Sequence, residues 1–310
     1  MITLLLAACS APSDIRDSRF IMGTLVEFTI AGADESIATD AISAAANEMQ
    51  RIEDQFTIYG DQDNRVKRFN RSCVGESVQL PEEISHVLTT ALAVKRASSG
   101  AFDPSQAKLN QLWGFSQPEM PTEPPTPEQI RDATPPPLCI EKRDQGWARL
   151  HETCQLDFGA IAKGYAIDRG IETLRSHGIE NAIINAGGDI RLIGRHGERP
   201  WRIGIRHPRN KGEVIRALEL EGDVAIVTST LWAETVDDAT LRTLGMDVLQ
   251  KISQVPNTGN GFVTGGRREQ IRIEGSPERL SGHDISLDEL AQTIRTANTE
   301  LDAGDIETGG

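Results

Sequence analysis

No stretch of 18 consecutive apolar residues occurs anywhere in this chain, so no segment of it reads as a membrane-spanning helix. Glycines never fall in a G-x-G-x-x-G spacing, which argues against a dinucleotide fold of the doubly wound type. Cysteine is scarce. The four present form neither C-x-x-C nor a Cys/His spacing of the kind that holds zinc. Positive charge is outnumbered, 32 Lys and Arg against 46 Asp and Glu, and the net −14 repels polyanions. Nucleic acid is therefore a poor partner, although a local basic pocket for a small phosphate ligand stays compatible with this balance. Internal repeats are missing too.

At 310 residues, 38% hydrophobic and 25% charged, the chain has room for one large domain or two ordinary ones and a sizeable core. Its pattern divides into a signal and linker over 1–17, one domain over 18–280, and a C-terminal helix with a frayed tail over 281–310. The first segment contains Leu6-Ala7-Ala8-Cys9, which resembles a bacterial lipobox, where the signal is cut ahead of a cysteine that then carries lipid. No Lys or Arg precedes its short apolar run, so it reads as a truncated lipoprotein signal.

Within the domain, weak alternation over Phe20–Ile30 around Met22-Gly23-Thr24 predicts an entry strand. Ala38, Ile42, Ala45, Met49, Ile52 and Phe56 recur on one helical face. Pro81-Glu82-Glu83 opens a second helix, with Ile84, Val87, Leu88, Ala91 and Val94 buried and an end before Gly100. Eight of the fifteen prolines lie within 118–137, predicting an extended surface loop rather than a packed element. A hairpin follows, with Asp144-Gln145-Gly146 near its turn and Cys139 and Cys154 flanking it. Antiparallel strands could bring those cysteines together in an oxidising compartment; two unpaired thiols are the alternative. Cys73 is left over. Trp201, Ile203 and Ile205 mark a half-buried strand broken by Pro208-Arg209-Asn210-Lys211-Gly212. Phe262-Val263, Gly265-Gly266 and Ile271/Ile273 predict a last hairpin, and Ser286-Leu287-Asp288-Glu289 caps a terminal helix. Helices alternating with hairpins give a mixed α/β (α+β) class.

The most informative run is 156–194. It opens on Asp157, follows with Gly159, Ala160, Ala162 and Gly164 around the lone Lys163, and continues as an amphipathic helix and an apolar strand to Gly187-Gly188-Asp189. Small residues let backbone groups approach a ligand closely, and one lysine among them supplies a point charge for an anion. A nucleotide diphosphate fits that description.

Three segments taken together resemble the ApbE-type FAD:protein FMN transferases. They are Met22-Gly23-Thr24; Ser99-Gly100-Ala101-Phe102-Asp103-Pro104 with Leu112-Trp113-Gly114-Phe115; and Asp157–Asp168 with Asn185-Ala186-Gly187-Gly188-Asp189-Ile190. The likeness runs from about residue 18 to 229. It implies a single two-lobed flavin transferase domain with FAD between the lobes. Met22 would contact the flavin, and Tyr59 would match an adenine- or ring-side tyrosine. Ala101, Phe102 and Asp103 would line the cleft, Asp157 would hydrogen-bond the ligand, and Lys163 would face the diphosphate. The carbonyl of Ala160 would meet Mg2+, a hard cation that prefers oxygen and usually shares substrate phosphates. The implied chemistry is phosphoryl transfer: a Thr or Ser hydroxyl of an acceptor flavoprotein, such as a subunit of a bacterial redox complex, takes FMN from FAD and AMP leaves. The family's setting, the periplasmic side of the inner membrane with a lipid anchor, agrees with Cys9.

Plainer readings stand beside each residue. Met22 and Phe102 suit a core, Asp103 a turn cap, Asp157 a helix N-cap and Lys163 a solvated helix face. For Asp189 a hairpin-turn role is the better fit, with Gly187-Gly188 letting two backbones approach.

The likeness stops after Val227-Thr228-Ser229. The family's His-x-x-Asp-Pro-x-Thr-Gly motif, with its proposed base, is nowhere in the chain, as though part of the C-terminal lobe were deleted. Further on, Ala233–Thr240 with Leu244-Gly245 resembles the family's Asp-rich metal segment, making Asp237, Asp238 and Thr240 candidate ligands; an acidic helix start is the alternative. Two functions follow: an FMN transferase, or a binding module that holds FAD or FMN without turnover.

Overall fold

The computed structural model describes residues 14–115, 121–207, 212–227 and 237–253, with Gly261, Val263 and Gln292. The elements below all belong to the unit Met1–Thr264. The lipobox-like segment lies outside the described residues, as do the last hairpin and terminal helix apart from Val263 and Gln292.

The entry strand is in fact a hairpin. β1 (Ile15–Ile21) and β2 (Thr24–Ile30) pair antiparallel from Ile15↔Ile30 to Ile21↔Thr24, turning through Met22 and Gly23. Helix α1 (Glu35–Phe56) starts where the Asp34 carboxylate accepts from the Ser36 and Ile37 amides. Its periodicity buries Ala38, Ala41, Ile42, Ala45, Ala46, Met49, Ile52 and Phe56. A short helix α2 (Arg65–Arg71) is capped by Asn64, and α3 (Glu82–Ala97) buries Ile84, Val87, Leu88 and Ala91 as expected, while Val94, expected with them, is half-buried near the end of the helix. Next comes α4 (Ala107–Leu112).

The proline-rich stretch departs from expectation. It holds α5 (Pro127–Ala133), because Thr126 and Gln129 form a reciprocal capping box and Pro127 sits at a helix start, where its missing N–H costs nothing. The unpacked part of the expectation holds: α5 buries none of its residues. The hairpin then forms from β3 (Ile140–Arg143) and β4 (Gly146–Arg149), and Cys139 and Cys154 are disulfide-bonded with Cα atoms 5.4 Å apart. Cys73 is free and exposed.

After α6 (Ala162–Ser176) come β5 (Ala182–Ala186), β6 (Asp189–Ile193), the hairpin β7 (Trp201–Arg206) and β8 (Val214–Leu220), then β9 (Val224–Val227) and α7 (Asp238–Ser253). The main sheet runs β1-β2-β5-β6-β9, each neighbouring pair antiparallel.

Strand periodicity of two assigns the two faces. Val26, Phe28 and Ile30 of β2 align with Ala186, Ile184 and Ala182 of β5, and all six join the large core with α1 and α6. Contact is closest at Gly170 of α6, where a Cβ would stand 2.9 Å from Ile184 Cδ1 and 3.2 Å from Met49 Sδ. On the opposite face, Leu192 and Ala31 pack with Trp201 of the β7–β8 hairpin, whose indole donates to the Ile193 carbonyl (3.1 Å).

Candidate functional site

The first and second of the separated sequence segments each contact the third. First to third: β2 pairs with β5, and Gly187 (φ 64°) passes so close to Thr24 that a Cβ there would lie 2.5 Å from its Oγ1. The close approach is of the Gly187 backbone to the Thr24 side chain, not of two backbones as the sequence suggests. Second to third: the Asp157 amide donates to the Pro104 carbonyl (2.8 Å), with Gln155 N–H to Ser105 and Ala107 N–H to Gln155 alongside. This places Asp103 and Asp157 at the ends of two strands of chain running side by side.

Among the described residues, the non-glycine positions with positive φ are Met22 (56°) and Ser99 (52°). Both belong to the recognised segments. Such backbone costs on the order of 1 kcal/mol or more per residue and collects at ligand sites. Met22 is held there by its amide, which donates to Glu53 of α1 (2.8 Å), while its side chain packs on the core.

Asp157 is the centre of convergence. One carboxylate oxygen accepts the Gly159 amide (2.8 Å); the other accepts the Asn110 side-chain amide (2.8 Å) and the Tyr59 hydroxyl (3.4 Å). Burial, then the adjacent Asp157 charge, push the Tyr59 phenol up to about 12, so it stays a proton donor at neutral pH. Asp157 does not cap the helix: the N-cap of α6 is Ile161, without a side-chain bond. Instead it shapes the small-residue turn ahead of α6. In that turn the Ile161 and Ala162 amides donate to Phe158 and Tyr165 donates to Ile161, and none of these bonds takes the Ala160 carbonyl.

Lys163, in the first turn of α6, forms an ion pair with Asp189 (2.9 Å), both partly exposed. Asp189 is thereby corrected. It opens β6 opposite Ala186 rather than sitting in the turn, and its carboxylate faces the site's lysine. Asp103 likewise does two things: it accepts the Ser105 amide (2.9 Å), the expected turn role, and pairs with Lys95 of α3 (2.7 Å). Ala101 is exposed, and Phe102 is half-buried with its amide on Ser98 Oγ (3.1 Å). Behind the turn, Phe158 packs edge-on to Phe56 (5.2 Å), and Tyr165 donates to Glu83 (3.0 Å). Arg51 joins Glu83 to Glu48 and holds both carboxyls below their usual range.

For the Asp-rich segment around Asp237, the helix-start alternative describes the local geometry. Asp237 accepts the Ala239 (2.9 Å) and Thr240 (2.8 Å) amides at the entry to α7; the Asp238 side chain lies outside the described residues. No group of three or more His, Cys, Asp or Glu poised for a metal occurs among the described residues. Sequence reasoning missed Asn110, Lys95 and Glu53. A neutral amide carries no chemical signature, and ion-pair partners from remote helices have no fixed spacing to reveal them.

Comparison with known proteins gives a consistent picture. A Vibrio cholerae protein named FAD:protein FMN transferase is 28% identical over 231 residues, 73% of this chain and 69% of its own length. One of the same name from Rhodobacter capsulatus is 27% identical over 238 residues, but the chain spans only 45% of that relative's length. The solved structure of the Thermotoga maritima ApbE protein matches with a TM-score of 0.63 at 29% identity, covering 72% of this chain and 74% of that one. The Vibrio cholerae flavin transferase ApbE structure matches equally, TM-score 0.63 at 26% identity over the same shares of the two chains. Residues 22–241 match the model of the ApbE family, from the Met22 turn into α7, and this chain belongs to that family.

Proposed function

We propose that this chain transfers FMN from FAD to a Thr or Ser hydroxyl of an acceptor flavoprotein. The observation that carries the reading is the convergence of Tyr59, Asn110 and Gly159, from distant parts of the chain, on the Asp157 carboxylate, next to a turn of small residues with Lys163 on the following helix. In this reaction the hydroxyl oxygen bonds to the FMN-side phosphorus of the FAD diphosphate. The bond from that phosphorus to the bridging oxygen breaks, AMP departs with the electron pair, and the hydroxyl proton is lost to solvent or a base.

Residue roles follow the family resemblance. Met22 contacts the flavin, Tyr59 lies on the adenine or ring side, and Ala101 and Phe102 give the cleft its wall. Asp157, held by Asn110 and Gly159, presents acceptor oxygens of fixed orientation to ligand N–H or O–H groups. Lys163 exchanges Asp189 for phosphate oxygens when the ligand enters, so charge is met by charge in both states. The Ala160 carbonyl and the oxygens of Asp237, Asp238 and Thr240 are candidate ligands for a hard cation, and bound Mg2+ would neutralise phosphate charge. Positioning and charge neutralisation supply most of such catalysis.

The Cys139–Cys154 bridge supports an oxidising compartment, in keeping with lipid anchoring through Cys9 on the periplasmic side of the inner membrane. The absent His-x-x-Asp-Pro-x-Thr-Gly motif favours a second reading, in which the site holds FAD or FMN without turnover. The two separate on AMP release. Supplied with FAD, Mg2+ and an acceptor, the transferase yields AMP and covalently flavinylated acceptor, and Lys163→Ala lowers the rate at least ~100-fold, the range expected for one electrostatic group at a transferring phosphate. FAD binding with no AMP above the Lys163→Ala background leaves the binding module; FAD that fails to raise Tm removes both.

A further inference from the structure

We infer that Lys67 serves as a built-in cation, its ammonium seated in a cradle of backbone carbonyls that shapes the loop carrying Tyr59. The functional arm of this inference rests on the flavin reading above; the structural arm does not.

Lys67 Nζ lies 2.6 Å from the Tyr59 carbonyl, 2.7 Å from that of Gly60 and 2.6 Å from that of Gln62. An ammonium has three N–H donors, and these three carbonyls engage all of them. Carbonyl dipoles aimed at one point repel each other, so the loop needs positive charge at its focus. The placement of Lys67 on its own helix also calls for such a cause. It stands in the first turn of α2, where its amide donates to the cap residue Asn64 (2.9 Å), and a cation there opposes the helix dipole. The cradle supplies the compensating attraction.

The loop is fastened at its other edge by Asn64, whose side-chain amide donates to Thr57 O (2.6 Å) and Asp54 O (3.0 Å). Between these fastenings the chain turns at Gly60 (φ 68°), and the Tyr59 ring is directed toward Asp157. Lys67 touches no candidate ligand-binding side chain. It is a positioning residue, acting through Tyr59. Convergent carbonyls are also the groups that replace the hydration shell of potassium, so a loop that has lost the lysine head group retains a seat for a small monovalent cation.

The test uses Lys67→Ala and Lys67→Met in the full chain, with potassium chloride, ethylammonium chloride or choline chloride at equal ionic strength. Hydrogen exchange across residues 57–64 is measured without FAD, and FAD affinity by titration. In choline, both variants are expected to exchange faster over 57–64 and bind FAD about tenfold more weakly, the scale of one lost charge-assisted cluster. Potassium or ethylammonium restores Lys67→Ala in both measurements. Lys67→Met, whose chain fills the space, is not restored. Wild-type behaviour of either variant in choline overturns the inference, as does a defect in Lys67→Ala that no small cation relieves. Restoration of exchange protection in a protein that never binds FAD upholds the cradle and fails the flavin reading instead.

Discussion

Between Glu35 and Phe56, α1 buries eight side chains against the sheet and α6. Between Asp238 and Ser253, α7 leaves Leu244, Met246, Val248 and Ile252 each 41–48% exposed. Leu244, Val248 and Ile252 even follow one another at intervals of four, a stripe at helical spacing. A repeating apolar pattern therefore specifies a helix with a dry side, and something else must supply the surface that keeps it dry. For α1 that surface is β2, β5 and α6. For α7 it is missing among the described residues, and Val227 at the end of β9 is 74% exposed as well. The match to the family model ends at residue 241, in the first turn of α7.

The contrast can be broken or sharpened by substitution. Phe158→Ala, beneath the Asp157 turn and fully buried, is expected to lower unfolding free energy by about 3–5 kcal/mol in denaturant titration. A loss below about 1 kcal/mol would mean the body is no better packed than α7.

A smaller effect is expected at the rim of the sheet, where Arg191 and Arg175 hold the Asp223 carboxyl down at about 2. Its folded value lies below the unfolded reference of about 3.9, so the stabilisation is complete above about pH 4 and is lost as pH falls toward 2. Asp223→Asn should cost less than about 1 kcal/mol at neutral pH, since solvent screens the pair. It should also flatten the fall in Tm across that acid window. An unchanged acid limb would show that other carboxylates govern it, with Glu48 and Glu83 next in line. Least of all, Leu244→Ala should shift stability by no more than about 0.5 kcal/mol. A loss several times larger would place a partner surface over the α7 stripe and erase the contrast.

Much of this architecture was legible in the sequence wherever a long element carried a clean period. The α1 face, the α3 face, the β3–β4 hairpin and the α6–β5 run all fall where their patterns place them. The short helices α2 and α4 were not legible, because six or seven residues hold too few apolar positions to show a period, and their ends are set by single caps such as Asn64. The α5 helix was hidden behind proline content, although Thr126-Pro127-Glu128-Gln129 is a helix-start signature. At the site, Asp157 and Lys163 stood out because small residues surround them. Their immediate partners did not: Asn110 lies 47 residues from Asp157 and Tyr59 lies 98, distances that only tertiary structure closes.

The order of strands in the main sheet has a consequence for how the chain must assemble. β1 and β2 pair locally, but the next neighbour of β2 is β5, and Ile30 cannot meet Ala182 until everything between them has been made. Closing so long a loop is entropically slow, and contacts of high sequence separation lower folding rates. During that wait β2 is an open edge bearing Val26, Phe28 and Ile30, a template for pairing with whatever strand arrives first. The interval of greatest aggregation hazard is thus set during synthesis, by the late appearance of Ala182–Ala186, rather than by any weakness of the finished sheet.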